Sequence, residues 1–138
     1  LVSVPIILSS AAGVVSQAWL LAGIAIWLVG FYFEAIGDYQ LTVFKSKKAS
    51  KGKLMTTGLW RYTRHPNYFG EAALWWGIAL IAYVASGNPL AFLGPVTIDF
   101  LLLKVSGIPM LEAKYKGRKD WAAYARRTSA FFPLPPKK

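Results

Sequence analysis

Long apolar stretches separated by short polar ones organise this chain. Leu1 to Phe33 carries no charged residue, and neither does the stretch from 72 to 98. A helix of a water-soluble domain needs a polar face, so bare runs of this length point to a lipid surround. A bilayer core of about 30 Å takes roughly 20 helical residues. The first run, 33 residues, is too long for one straight crossing and too short for two, and Ser9, Ser10 and Gly13 suggest a break within it. Residues 1–12 are expected to be the tail of an earlier transmembrane helix, and about 15–44 a full crossing that extends past the interface. Residues 45–64 form a basic connection. Pro66 opens the next helix, since its missing N–H is not needed in the first turn, and this helix is expected to run to about Ala85. Ser86-Gly87-Asn88-Pro89 reads as a turn. A third crossing is expected from about Leu90 to Ala113, interrupted or kinked near Pro95, Gly107 and Pro109. The remainder, Lys114 to Lys138, is basic and amphipathic, with Trp121, Tyr124, Phe131 and Phe132 interleaved. The predicted fold class is an all-α polytopic transmembrane helix bundle: about three crossings, the tail of an earlier one, and a basic amphipathic cytoplasmic tail. Residues 1–138 are expected to form a single transmembrane domain.

Composition agrees with this and adds an orientation. Of 138 residues, 55% are hydrophobic, and 16 Lys and Arg against 6 Asp and Glu give a net charge of +10. All the cations lie in 45–64 and 104–138, which fall on one side of the membrane in this arrangement. The positive-inside rule puts that side in the cytoplasm, of an inner membrane or the endoplasmic reticulum. The charge suits anionic membrane lipids or a polyphosphate cofactor. Nucleic acid is not an expected partner, because the cations flank spans and no reading module is present. Leu1 is not an initiator Met, and the first residues lack the basic region of a signal peptide. The chain is therefore expected to be the C-terminal part of a longer protein. Without cysteine there is no disulfide scaffold, thiolate zinc site or cysteine nucleophile. With one histidine and carboxylates spread over three helices, no metal site is expected.

Four acids sit in or beside the apolar helices: Glu34, Asp38, Glu71 and Asp99. Each costs several kcal/mol at membrane depth, roughly 2.5–3.5 at mid-helix, so each is a functional candidate. Glu34 and Asp38 share a helix face, as do Asn67 and Glu71. Plainer readings stand beside these: an interfacial Glu34–Asp38 pair bonded to the basic loop, helix-dipole stabilisation by Glu71, and, for Asp99, either a structural partner on a neighbouring helix or a place near the far interface. Asp99 and Lys104, five apart, do not share a face well. The densest cluster is Gly58-Leu-Trp-Arg-Tyr-Thr-Arg-His-Pro-Asn-Tyr-Phe-Gly-Glu71. Arg61 and Arg64 supply fixed charge, the only histidine is His65, and Pro66 starts a helix whose free N–H groups can receive an anion. Asn67 adds an amide, and Tyr68 and Glu71 follow on the same helix. Together they suit an anionic, polar ligand at the cytoplasmic face. The soluble nucleotide-binding glycine motifs are absent, as are the hydrolase elbow and a second histidine for a triad.

This cluster, followed by Trp75-Trp76-Gly77, resembles the DUF1295 family of the steroid 5-alpha-reductase superfamily. Two further blocks are similar: Phe33-Glu34-x3-Asp38-x-Gln40, and the tail Gly107-Ile-Pro-Met-Leu-Glu112 with Trp121-x2-Tyr124-x-Arg-Arg-Thr-Ser-x-Phe-Phe-Pro133. Arg-His-Pro-x-Tyr alone is shared with isoprenylcysteine carboxyl methyltransferases and sterol reductases. The resemblance implies an all-helical membrane reductase that binds NADPH from the cytoplasmic side and acts on a lipid-like or sterol-like unsaturated substrate. Carried over by position, Asp38 matches the aspartate of the first cofactor block. Asn67 and Glu71 match the pair at the nicotinamide end, and Lys45 and Lys53 fall where related reductases place arginines towards the phosphates. Lysine is a point charge rather than a fork, which implies a looser contact. Glu112 matches an acid near the cofactor in sterol reductases, and Tyr124 lies in the tail signature. With Arg64, His65 and Tyr68, these make up the expected cofactor site. Glu34 stands where steroid reductases have Asn, and their tail histidine has no counterpart. Their substrate-polarising acid and tyrosine belong to an N-terminal half not in this sequence, so no catalytic residue is assigned. An S-adenosylmethionine-dependent methyltransferase of isoprenylcysteine or phospholipid type would use the same Arg-His-Pro helix start. A third reading is a non-enzymatic membrane-anchored binding element.

Overall fold

The computed structural model describes residues 2–5 and 17–138. The expected earlier-helix tail and the break at Ser9, Ser10 and Gly13 fall mostly outside the described residues. Residues 2–5 lie against Gly94, where an added Cβ would meet the Val2 carbonyl oxygen at 2.8 Å. The described chain is an all-α polytopic bundle. Three segments are long and apolar enough to cross a membrane: Gln17–Ser46, Pro66–Ser86 and Pro89–Ala113. Among the described residues there is no strand, only an isolated bridge between Thr63 and Ser129.

Helix α1 (Gln17–Ser46) has 30 residues, roughly 45 Å of helix at 1.5 Å per residue. That exceeds a bilayer core of about 30 Å, so α1 carries its C-terminal turns, with Lys45, beyond the apolar layer. Helix α2 (Pro66–Ser86) begins as predicted, with Pro66 in its first turn and His65 as N-cap. It ends at Gly87, whose φ of 66° is the left-handed cap geometry and whose N–H donates to Tyr83 O at 2.7 Å. Asn88 Oδ1 then accepts from Leu90 N–H at 3.0 Å and closes the predicted turn.

Helices α1 and α2 pack backbone to backbone. Gly23, Gly30 and Gly37 recur every seven residues along α1, and Gly70 and Gly77 do so along α2. A Cβ on Gly77 would lie 2.7 Å from Gly23 O, and one on Gly30 would lie 2.7 Å from Gly70 O. Small residues permit this approach, which in lipid rests on dispersion and shape rather than on the hydrophobic effect. Their large neighbours Trp19, Leu21, Leu28 and Phe31 face outward and are exposed, as lipid-facing side chains are.

The third crossing is built from pieces. A 3-10 turn (Pro89–Phe92) leads into α3 (Leu93–Phe100), a π turn (Leu101–Val105) and α4 (Ile108–Ala113). The break near Gly107 is where it was predicted: a Cβ there would sit 2.6 Å from Leu102 Cα, so only glycine lets the chain fold back. Pro95 makes no break, because it lies in the first turn of α3, where a proline removes no helical bond. Asp99 takes a structural partner, accepting from Trp76 Nε1–H of α2 at 2.8 Å, and Lys104 is exposed. The tail forms α5 (Lys119–Arg127), with Asp120 in its first turn and Arg126 and Arg127 in its last, as the helix dipole favours. The segment after α5 returns to the α1–α2 connection: Arg64 N–H donates to Ser129 O at 2.8 Å, and Leu134 N–H to Tyr62 O at 3.0 Å.

Candidate functional site

The connection between α1 and α2 is anchored before it offers any site. Trp60 is buried, and its Nε1–H donates to Gly37 O on α1 at 3.2 Å. Leu59 N–H donates to Gln40 Oε1 at 3.0 Å. Tyr124 of α5 is buried against the same loop and donates its hydroxyl to Trp60 O. Burial pushes the Tyr124 phenol well above its ordinary range, so it stays a neutral donor. Thr63 is buried too: its hydroxyl donates to Ala130 O at 3.3 Å and accepts from His65 N–H at 3.2 Å.

Arg64, His65 and Glu112 form the electrostatic centre of this end of the bundle. Arg64 Nε and Nη2 grip Glu112 at 2.9 and 3.1 Å, and Nη1 donates to Ala125 O and Thr128 O at 3.0 and 2.7 Å. Four of its five N–H donors are thus directed at protein acceptors. Arg64 also stacks on Trp121, 5.6 Å from the ring centroid. Glu112 additionally meets His65 Nε2 at 3.0 Å. Burial lowers the His65 pKa, and the Arg64 charge adds to that, while Glu112 opposes it. The neutral ring then carries its proton on Nε2, towards Glu112, and leaves Nδ1 as an acceptor.

Beside this centre lies a cavity of about 380 Å³. The end of α1 and the basic connection supply Lys45, Lys51 and Lys53, and the start of α2 supplies His65 and Asn67. The tail contributes Tyr115, Arg118, Trp121 and Tyr124 on the opposite wall. Tyr115 and Trp121 stack with centroids 4.7 Å apart, which presents a flat aromatic face. Arg118 ties the two walls together: its Nη2 donates to Gly52 O at 2.9 Å while Asp120 holds the guanidinium at 2.6 and 3.0 Å. Fixed cations with an adjacent aromatic plane are the chemistry that holds phosphates and a flat base.

Six of the sequence-predicted residues line this cavity: Lys45, Lys53, Arg64, His65, Asn67 and Tyr124. Glu112 does not; it sits behind the wall, in the grip of Arg64 and His65. Asp38, Tyr68 and Glu71 form a separate patch, within Coulombic reach of one another where α1 and α2 face. Tyr68 joins the two regions by stacking on His65, with centroids 5.5 Å apart. Glu34 lies in the same patch, close to Glu71 and Asp38. Two plainer readings are corrected. Among the described residues no ion pair joins Glu34 or Asp38 to the basic loop, because the crossing holds Glu34 against Gly70. Glu71 is the sixth residue of α2, past the turn in which a dipole favours an acid. The sequence reading passed over Lys51 and Arg118 as ligand candidates; Arg118, a cation set between Tyr115 and Trp121, was the available signal. Among the described residues no group of His, Asp or Glu could hold a metal ion.

A family model described as "Protein of unknown function (DUF1295)" matches residues 1–128. The mouse protein 3-oxo-5-alpha-steroid 4-dehydrogenase 1 is 33% identical over 73 residues, covering 53% of this chain and 29% of its own length. Its human counterpart is 31% identical over 78 residues, 56% of this chain and 30% of its own length. A probable O-methyltransferase of Ustilaginoidea virens is 36% identical over 74 residues, 52% of this chain and 26% of its own length. The matched region thus spans less than a third of each of these relatives. No solved structure matches. Three apolar spans and relatives of this kind make the chain part of an integral membrane protein.

Proposed function

The chain belongs to the DUF1295 family, and on that premise we propose that it is the NADPH-binding part of a membrane reductase that transfers hydride to a double bond of a lipid- or sterol-like substrate. The observation that carries this is the cavity at the basic end of the bundle, with cations on two walls and a stacked aromatic pair on one of them. The residues present fit the cofactor. Lys45, Lys51, Lys53 and Arg118 would hold its phosphates, and the Tyr115–Trp121 face would take a base. His65 Nδ1 and the Asn67 amide would meet a polar group at the inner wall. Asp38, Tyr68 and Glu71, on the adjoining α1–α2 face, would position the nicotinamide end. NADPH when bound supplies a hydride for an electron-poor carbon–carbon double bond. The chain's part is to orient that donor: the Arg64–Glu112–His65 centre fixes the start of α2, which carries Asn67, and Arg118 holds the basic connection over the cavity. By the positive-inside rule the basic end faces the cytoplasm, where the cofactor is found.

The test is ligand-dependent thermal stability of the full-length protein in detergent, with NADPH, NADH and S-adenosylmethionine compared. NADPH should raise the melting temperature more than NADH does, and Asn67→Ala/Glu71→Ala should lose most of the shift. The similarity to a probable O-methyltransferase favours one rival, methyl transfer from S-adenosylmethionine, with the inner wall meeting the methionine end of that ligand. Stabilisation by S-adenosylmethionine and not by NADPH would establish that rival and overturn the reductase reading.

A further inference from the structure

A second cavity lies on the other side of the Arg64 loop and shares no lining residue with the first. It has a volume of about 490 Å³ and lies between the end of α5, the Arg61 turn and the returning tail. Four cations line it: Arg61, Arg127, Lys137 and Lys138. None of the six acidic residues of the chain does, and none of the four cations is in an ion pair among the described residues. The wall between them is held by backbone bonds rather than by ligand: Lys137 N–H donates to Arg127 O at 2.8 Å, and Leu134 N–H to Tyr62 O at 3.0 Å.

One polar atom in that wall has no use in the protein. Thr128 is buried, at 3% exposure, and its Oγ1 has no hydrogen-bond partner. An orphaned buried hydroxyl is destabilising, and natural structures keep few of them. Nothing in the Arg64 centre needs it, since Arg64 is satisfied by the Thr128 carbonyl. Thr56 and Thr57 line the same cavity. Several cations together with hydroxyl donors make a receptor for phosphate oxygens.

The surroundings say which phosphate. Phe132 and Leu134, in the tail segment that closes the cavity, are 63% and 54% exposed, and Tyr62 beside Arg61 is exposed too. Exposed aromatic and aliphatic side chains next to unpaired cations belong at a membrane–water interface. We infer that this cavity binds the headgroup phosphate of an anionic phospholipid, with Arg61, Arg127 and the Lys137–Lys138 pair as counter-charges and Thr128 Oγ1 as the buried donor. The site is independent of the cofactor assignment.

The experiment is native mass spectrometry of the full chain released from neutral detergent, titrated with dioleoyl-phosphatidylglycerol, dioleoyl-phosphatidylcholine or inorganic phosphate. Phosphatidylglycerol should bind saturably and well ahead of phosphatidylcholine. Arg61→Gln/Arg127→Gln should weaken it roughly 30-fold, from about one surface charge's contribution each. Thr128→Val removes the hydroxyl at nearly constant volume. It should weaken phosphatidylglycerol roughly fivefold while leaving the lipid-free melting temperature equal to or above that of the unaltered chain, so loss of fold would not explain its effect. Equal binding of the two lipids, or unchanged phosphatidylglycerol affinity in both variants, would overturn the site. Inorganic phosphate that binds as tightly as phosphatidylglycerol would overturn the lipid assignment.

Discussion

The Arg64–Glu112 pair keeps some contact with solvent, with side-chain exposures of 11% and 23%, so its value rests less on charge attraction than on what its loss would strand. Arg64→Gln would leave Glu112 with His65 alone and would free the carbonyls of Ala125 and Thr128. It should cost roughly 2–4 kcal/mol, read as a lower melting temperature in detergent, whereas Arg126→Gln, at an exposed position, should change little. His65 provides a test by pH. Its pKa lies below the ordinary 6.5 because burial disfavours the imidazolium. The unfolded chain therefore takes up the proton first as pH falls. The stability that His65 contributes is complete above about 6.5 and is lost as pH drops from there through the folded value. Melting temperatures measured between pH 7.5 and 5.5 should fall in the unaltered chain and fall less in His65→Gln. Much at this scale was legible in sequence: Arg64, His65 and Asn67 stand together in one motif and do line one cavity. Glu112 was legible only as an acid. Its role as the clamp on Arg64 spans 48 residues and exists only once the tail has folded back.

Helix ends followed closely from local chemistry, because Pro66 and Gly87 act through backbone constraints that need no tertiary context. In the third crossing the break at Gly107 followed as well, but the rest of its interior did not, since proline is harmless in a first turn and a π turn has no residue signature comparable to a cap. The seven-residue glycine repeat was open to sequence reading, yet a reading led by charged residues passes over it. It makes a graded prediction. At Gly30 an added Cβ would meet the Leu74 and Gly70 backbone, which cannot yield without separating the helices. At Gly23 the nearest atom is a side-chain one, Ile81 Cγ1 at 2.7 Å, and the nearest backbone atom, Gly77 O, is 3.2 Å away. Gly30→Ala should therefore destabilise the bundle by roughly 1–3 kcal/mol, with Gly23→Ala less costly. Reversible unfolding in mixed micelles measures both. Gly30→Ala combined with Gly70→Ala should cost less than the sum of the two, because the first substitution already opens the contact. Additive costs would argue against a shared close approach.

Across the whole molecule, charge is segregated: the cations that line the two cavities all lie at the end of the bundle where α1 and α2 are joined. That segregation separates the two ligand readings by sign. NADPH is strongly anionic, with a diphosphate and a further 2′-phosphate. S-adenosylmethionine has a sulfonium and an ammonium against one carboxylate, and is net cationic. Removing cations from the first cavity must therefore move the two affinities in opposite directions, whichever phosphate each lysine meets. Lys51 and Lys53 are suited to the test because both are exposed and in no ion pair among the described residues, so neutralising them leaves the fold intact. Lys51→Gln/Lys53→Gln should weaken NADPH roughly tenfold, at somewhat under about 1 kcal/mol per exposed contact. NADH, which lacks the 2′-phosphate, should weaken less, and S-adenosylmethionine should bind no worse than before. Added salt should weaken NADPH as well, and less steeply in the double variant, which keeps only Lys45 and Arg118 of the four cations assigned to its phosphates. Equilibrium titration of the full-length protein at two ionic strengths reads all of these. NADPH affinity indifferent to both lysines and salt would remove the electrostatic basis for placing its phosphates in this cavity.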